Sequence, residues 1–120
     1  MTEASIKIRQ LQVLAELKLN TELVRLSEIS HEESVPLARL KAIAQEETHH
    51  KDNGGFEISQ AALSGMDVKW QIWAGREKRS IMSDLARIAQ KREDQLVIAK
   101  HAFGRTEVLK TLESDAKSKR

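Results

Sequence analysis

The sequence predicts an all-α protein, folded as a long antiparallel two-helix coiled-coil hairpin, and three observations carry that prediction. Charged residues make up 32% of the 120 positions and aromatics only 3%, a composition rich in Ala, Glu, Lys, Leu and Arg that suits long helices. Apolar residues recur three and four positions apart through both halves of the chain. The one strong turn signal, Asp52-Asn53-Gly54-Gly55, sits near the middle. A single hairpin domain over 1–120 follows, with arm one at about 5–51, the turn at 52–57 and arm two at about 58–115.

Arm one carries no glycine or proline from Ser5 to Glu33. Its apolar positions are Ile8, Leu11, Leu14 or Ala15, Leu19, Leu23, Leu26 and Ile29, which share one helical face. Pro36 interrupts the run, because a proline inside a helix costs about 3 kcal/mol. Ser30-His31-Glu32-Glu33 reads as a capping box, and Ser34 is a second possible cap with proline in the following first turn. A kink or short break is therefore expected at 30–36. Leu37, Leu40, Ile43 and Ala44 continue the inward face, with Glu47 and Lys51 paired on the surface.

Arm two begins between Ile58 and Gly65, and Ser64-Gly65-Met66-Asp67 offers a later capping box within that window. Met66, Trp70, Trp73, Ile81, Leu85, Ile88, Leu96, Ala99, Phe103, Leu109 and Leu112 mark its stripe, diluted by Glu77, Arg92 and Thr106. A bend centred near residue 54 sets Leu40 beside Trp70, Leu26 beside Ile81 to Leu85, and Leu11 beside Ile98. Apolar meets apolar at each level. Gly75 and Gly104 fall inside this helix, each costing about 1 kcal/mol relative to alanine. They mark either tolerated looseness or a close approach by another backbone.

Charge supports the pairing. Residues 1–50 hold six Lys or Arg and eight Asp or Glu, while residues 51–120 hold fourteen and ten, so the arms carry opposite net sign. The absence of cysteine excludes a disulfide framework and a thiolate metal site. No apolar run approaches the ~18 residues of a membrane span, and no secretory leader is readable, so a cytoplasmic setting is expected.

Enzyme chemistry finds no footing. His49 and His50 are adjacent and diverge on a helix, and His31 and His101 lie far off, so no metal or cofactor is expected. No Ser-His-Asp set or phosphate loop can be assembled, and a hairpin is expected to offer no concave pocket to exclude water. Basic clusters at Arg76-Lys78-Arg79, Lys91-Arg92 and Lys117-Lys119-Arg120 raise nucleic-acid binding, but interleaved Glu77, Glu93, Asp94 and Asp115 weaken it. Trp70 and Trp73 share a face near the bend, where they serve either as core or as a partner contact.

Trp70-Gln71-Ile72-Trp73, then Arg76, Arg79, Leu85-Ala86, Arg92, Ala99, Ala102-Phe103-Gly104-Arg105, Val108-Leu109 and Leu112 resemble the second helix of the FliJ/YscO family. The resemblance covers residues 63–112 in detail; the first arm matches in being amphipathic. It implies a non-enzymatic component of a flagellar or related type III export apparatus, peripheral at the flagellar base. Such a stalk links the export ATPase, met by residues 1–20 and 96–120, to the membrane export gate, and escort of export chaperones is a further role the resemblance implies. The candidate partner-binding residues are then Trp70, Trp73, Leu40, Phe103 and Arg105. A generic coiled-coil scaffold or homodimer is the alternative, with a nucleic-acid-binding helical protein behind it.

Overall fold

A computed structural model describes residues 2–53 and 60–118, with side chains over 2–49 and 67–118. The described residues form three helices, α1 (Glu3–Glu32), α2 (Ser34–Asn53) and α3 (Gln60–Ser118), and no strand. Helix α1 starts on a cap that the sequence reading passed over. Thr2 Oγ1 accepts the amide of Ser5 at 3.3 Å, and Glu3 places a carboxylate against the positive end of the helix.

Pro36 breaks the first arm, and the break is one residue long. Glu33 alone separates α1 from α2. Ser30 stays inside α1, so the capping box expected there does not form. The junction is held from the other side: Ser34 Oγ donates to the His31 carbonyl at 2.7 Å, and the Leu37 amide donates to the Glu33 carbonyl at 3.1 Å. Pro36 is the third residue of α2, within the first turn, where a missing N–H disrupts little, and its ring is buried.

Helix α3 begins at Gln60, inside the expected window, and runs without interruption to Ser118. Ser64-Gly65-Met66-Asp67 lies within the helix and not at its start, because Gln60-Ala61-Ala62-Leu63 upstream are good helix formers. Asp52 and Asn53, assigned to the turn by the sequence, belong to α2; Gly54, Gly55, Phe56 and Glu57 lie outside the described residues.

The chain divides into two compact units, one of Met1–Ser30 with Gln90–Arg120 and one of His31–Ala89. In the second, α2 packs on the first part of α3. Ile43, Ala74 and Ile81 form the buried cluster, and Leu40, Trp70 and Leu85 close over it. Ion pairs join Arg39 to Glu77 and Lys78 to Glu47 at its margin. In the first, α1 packs on the last part of α3. Ion pairing of Arg9 with Glu113 (3.8 Å) and hydrogen bonding of Glu22 with Gln95 (2.6 Å) show that the two run antiparallel.

The inward positions of the first arm are Ile8, Gln12, Ala15, Leu19, Glu22, Leu26 and Ile29 in α1, then Pro36, Leu40, Ile43 and Glu47 in α2. Within each helix the steps alternate between three and four, the heptad spacing of paired helices. This corrects the sequence reading at Leu11, Leu14 and Leu23 in α1 and at Leu37 and Ala44 in α2, which are exposed, and settles the choice between Leu14 and Ala15 for Ala15. In α3, Ile81, Leu85, Ile88, Leu96, Ala99 and Leu109 turn inward as expected, whereas Trp73, Phe103 and Leu112 are exposed.

The register also differs. A bend centred at residue 54 sets Glu22 opposite residue 87, yet it bonds Gln95, eight positions further along. Helix α2 runs on through Asn53 and α3 starts at Gln60, a midpoint later than residue 54 that accounts for about four of the eight positions. A Cβ added at Gly75 or Gly104 meets nothing within 4 Å. Neither glycine is therefore required by a close approach within this chain.

Candidate protein-interaction surface

The first unit closes over polar residues. Glu22 is 0% exposed, the most deeply buried side chain of α1, and Gln95 opposite it is 7% exposed. Gln95 Nε2 donates to Glu22 Oε2 at 2.6 Å and to the Glu22 backbone carbonyl at 2.9 Å. The other carboxylate oxygen, Oε1, accepts Lys18 Nζ at 2.8 Å and Arg25 Nη1 at 3.2 Å, both from neighbouring turns of α1. The carboxylate thus trades water for two cations and an amide, which is what a buried charge requires. Hydrogen bonding from Lys18, then from Gln95, holds its pKa below the ordinary 4.5, against the opposing effect of burial.

A second mixed layer lies nearer the chain ends. Glu113 receives a hydrogen bond from Gln12, with Lys117 and Arg9 beside it, and its pKa is likewise lowered, chiefly by that amide. Thr106 is buried and donates from Oγ1 to the Phe103 carbonyl at 2.6 Å. Among the described residues no buried side-chain nitrogen or oxygen lacks a partner. These layers contribute register more than stability, since an apolar pair offset by one heptad has no polar group to misplace.

The outside of the same unit carries large apolar side chains. Leu11, Leu14, Leu17, Val97, Phe103 and Val108 are more than half exposed, although each is a large apolar side chain. Single exposed leucines are ordinary on any protein, but Leu11, Leu14 and Val108 line one surface together. What this arrangement does chemically is hold two helices in one register and present aliphatic surface outward.

The candidate residues separate into two groups. Trp70 and Leu40 are half-buried and pack on Ile43, Ala74 and Ile81. Trp73, Phe103 and Arg105 are exposed. The two tryptophans, three apart, therefore do not act alike: one closes a core and the other faces outward beside exposed Ile72. Of the basic clusters, Lys78 is committed to Glu47. Among the described residues, no three or more of His, Cys, Asp and Glu gather where a metal ion would sit. No described helix is long and apolar enough to cross a membrane.

Reading the inward frame without demanding apolar residues would have found Glu22 and Gln95, since both fall on the three-four spacing. The comparisons with known proteins add no relative to this geometry: no protein-family model, no curated protein and no solved structure matches the chain.

Proposed function

We propose that the chain is a non-enzymatic adaptor, its two arms zipped as a coiled-coil hairpin, that works by offering helical surface to other proteins. The observation that carries this reading is the mixed polarity of the first unit, where Glu22 and Gln95 are buried among inward apolar residues while Leu11, Leu14, Leu17, Val97 and Val108 stand outside. A helix pair selected only for its own stability places leucine inside and glutamate out. Here the inward layer fixes register, and the apolar area is left for a partner.

The finer form of the proposal is a stalk or adaptor of a flagellar-type protein export apparatus, between the export ATPase and the export gate. It is supported by the similarity of the α3 sequence to the FliJ/YscO pattern, from Trp70 to Leu112. Trp73 is the better of the two tryptophans for a contact with the gate. It is exposed, and alanine there removes a large amphipathic side chain without opening the core that Trp70 helps to close.

The test is affinity purification of the tagged chain from its own organism, with export ATPase and gate protein followed by immunoblot. Both are expected to copurify, and Trp73→Ala is expected to weaken gate binding by about tenfold or more with helicity unchanged. Recovery of neither protein would overturn the export assignment. Gate binding untouched by Trp73→Ala would overturn the role of that side chain.

A further inference from the structure

A groove of about 680 Å³ lies along one side of the first unit, between α1 and the last part of α3. Its walls are apolar: Leu11 and Leu14 from α1, Val108 and Leu109 from α3, with Ala15 and Ala102 between them. Its rim is cationic. Lys18 stands on one edge, and Lys100, His101 and Arg105 on the other. No carboxylate lines it. Lys18 is held by Glu22, whereas neither Lys100 nor Arg105 forms an ion pair with a described residue.

Gly104 also lines this groove, and a Cβ there would project into open space. A glycine inside a helix costs about 1 kcal/mol relative to alanine, and nothing within this chain accounts for it. The missing side chain lowers the α3 wall and lets an incoming backbone approach. Breadth, apolar walls and a low wall suit a helix laid in the groove, reading Leu11, Leu14 and Val108 with anchors three or four residues apart.

We propose that this groove docks an amphipathic helix of another protein, with an apolar stripe edged by Asp or Glu. Charge selects this occupant over a second copy of the chain. Two copies packed groove to groove would bring the rim cations Lys100 and Arg105 together with those of the other copy, with no lining carboxylate to offset them. An acidic edge meets Lys100 and Arg105 directly. The proposal rests on the adaptor reading and narrows it to a partner chemistry.

Two synthetic peptides of three heptads each provide the test. Both carry leucine at the stripe positions; one has glutamate and the other lysine at the flanking positions, and each carries a fluorophore for anisotropy titration against the full chain. The glutamate peptide is expected to bind at least about tenfold more tightly than the lysine peptide. The Lys100→Glu, Arg105→Glu variant is expected to reverse that order. Val108→Ser is expected to lose most of the binding with an unchanged circular dichroism spectrum, because Val108 is 60% exposed and supports no core. Equal binding of the two peptides, no binding of either at about 1 mM, or a wild-type dimer by sedimentation that Val108→Ser makes monomeric would each overturn the proposal. The copurification experiment reads the adaptor role separately: it can succeed with this groove empty, and the peptide can bind if the export assignment fails.

Discussion

Ile81→Ala is expected to lower folding stability by about 3 kcal/mol, read from urea denaturation followed by circular dichroism. Ile81 is fully buried, and it is the side chain on which the second unit closes: Ile43 and Ala74 share its cluster, with Leu40, Trp70 and Leu85 around it. Alanine removes three carbons from a site whose neighbours sit on two stiff helices, so the cavity cannot collapse fully. Leu14→Ala is the matched control, because Leu14 is 62% exposed and is expected to move stability by no more than about 0.5 kcal/mol. A large effect at Leu14 with a small one at Ile81 would mean that the wrong helical faces have been placed inside.

The second large effect concerns the polar layer. Gln95→Leu removes the amide that donates twice to Glu22 and leaves a buried carboxylate short of a partner. The expected result is a loss on the order of tenfold in the folded-to-unfolded ratio. The double variant Glu22→Leu, Gln95→Leu is expected to recover that loss and exceed wild-type stability, since two leucines at facing inward positions replace a buried charge. It is also expected to loosen register.

The pH dependence follows from the direction of the shift. Glu22 and Glu113 both have pKa values lowered by folding, so the unfolded chain takes up their protons first as the pH falls. Their contribution is fully present above the ordinary value of 4.5 and is lost as the pH drops through the lower folded values. Glu22→Gln with Glu113→Gln should flatten the stability profile in that acid window. An unchanged slope in the double variant would show that neither carboxylate is held as described.

Much of the helical plan was legible in the sequence, and the faces of the helices were only partly so. The three-four spacing announced two long helical arms, and Pro36 announced the interruption between α1 and α2. In α3 the inward set around Ile81, Leu85 and Ile88 was readable because apolar residues there coincide with inward positions. In α1 they do not. Leu11, Leu14 and Leu23 lie beside the inward face, and a reading that seeks apolar residues adds them to it. The frame that turns inward instead contains Gln12 and Glu22, whose suitability depends on Gln95 and Glu113 from the other end of the chain. No local pattern shows that dependence.

The same limit applied to the register and the groove. Asn53-Gly54 is the strongest turn signal, but helix propensity carried α2 through Asn53; Leu40 and Trp70 still close on one cluster as expected, whereas Glu22 pairs further along α3 than expected. The groove joins residues about ninety apart in sequence, such as Leu14 and Val108. Its cationic rim is spread over two helices and is invisible as a cluster in either one. Arg105 was singled out by its place in a family-like motif, and the structure places it on that rim.

The account turns on Glu22 facing Gln95, and site-directed cross-linking tests this directly because the natural chain has no cysteine to interfere. Cysteines at positions 22 and 95 are expected to form an intramolecular disulfide under mild oxidation, seen as faster migration on a non-reducing gel. A pair at positions 15 and 94, matching the register expected from a bend at residue 54, is expected to stay reduced. Closure of the 15–94 pair with the 22–95 pair left open would contradict the register, the polar layer and the groove together.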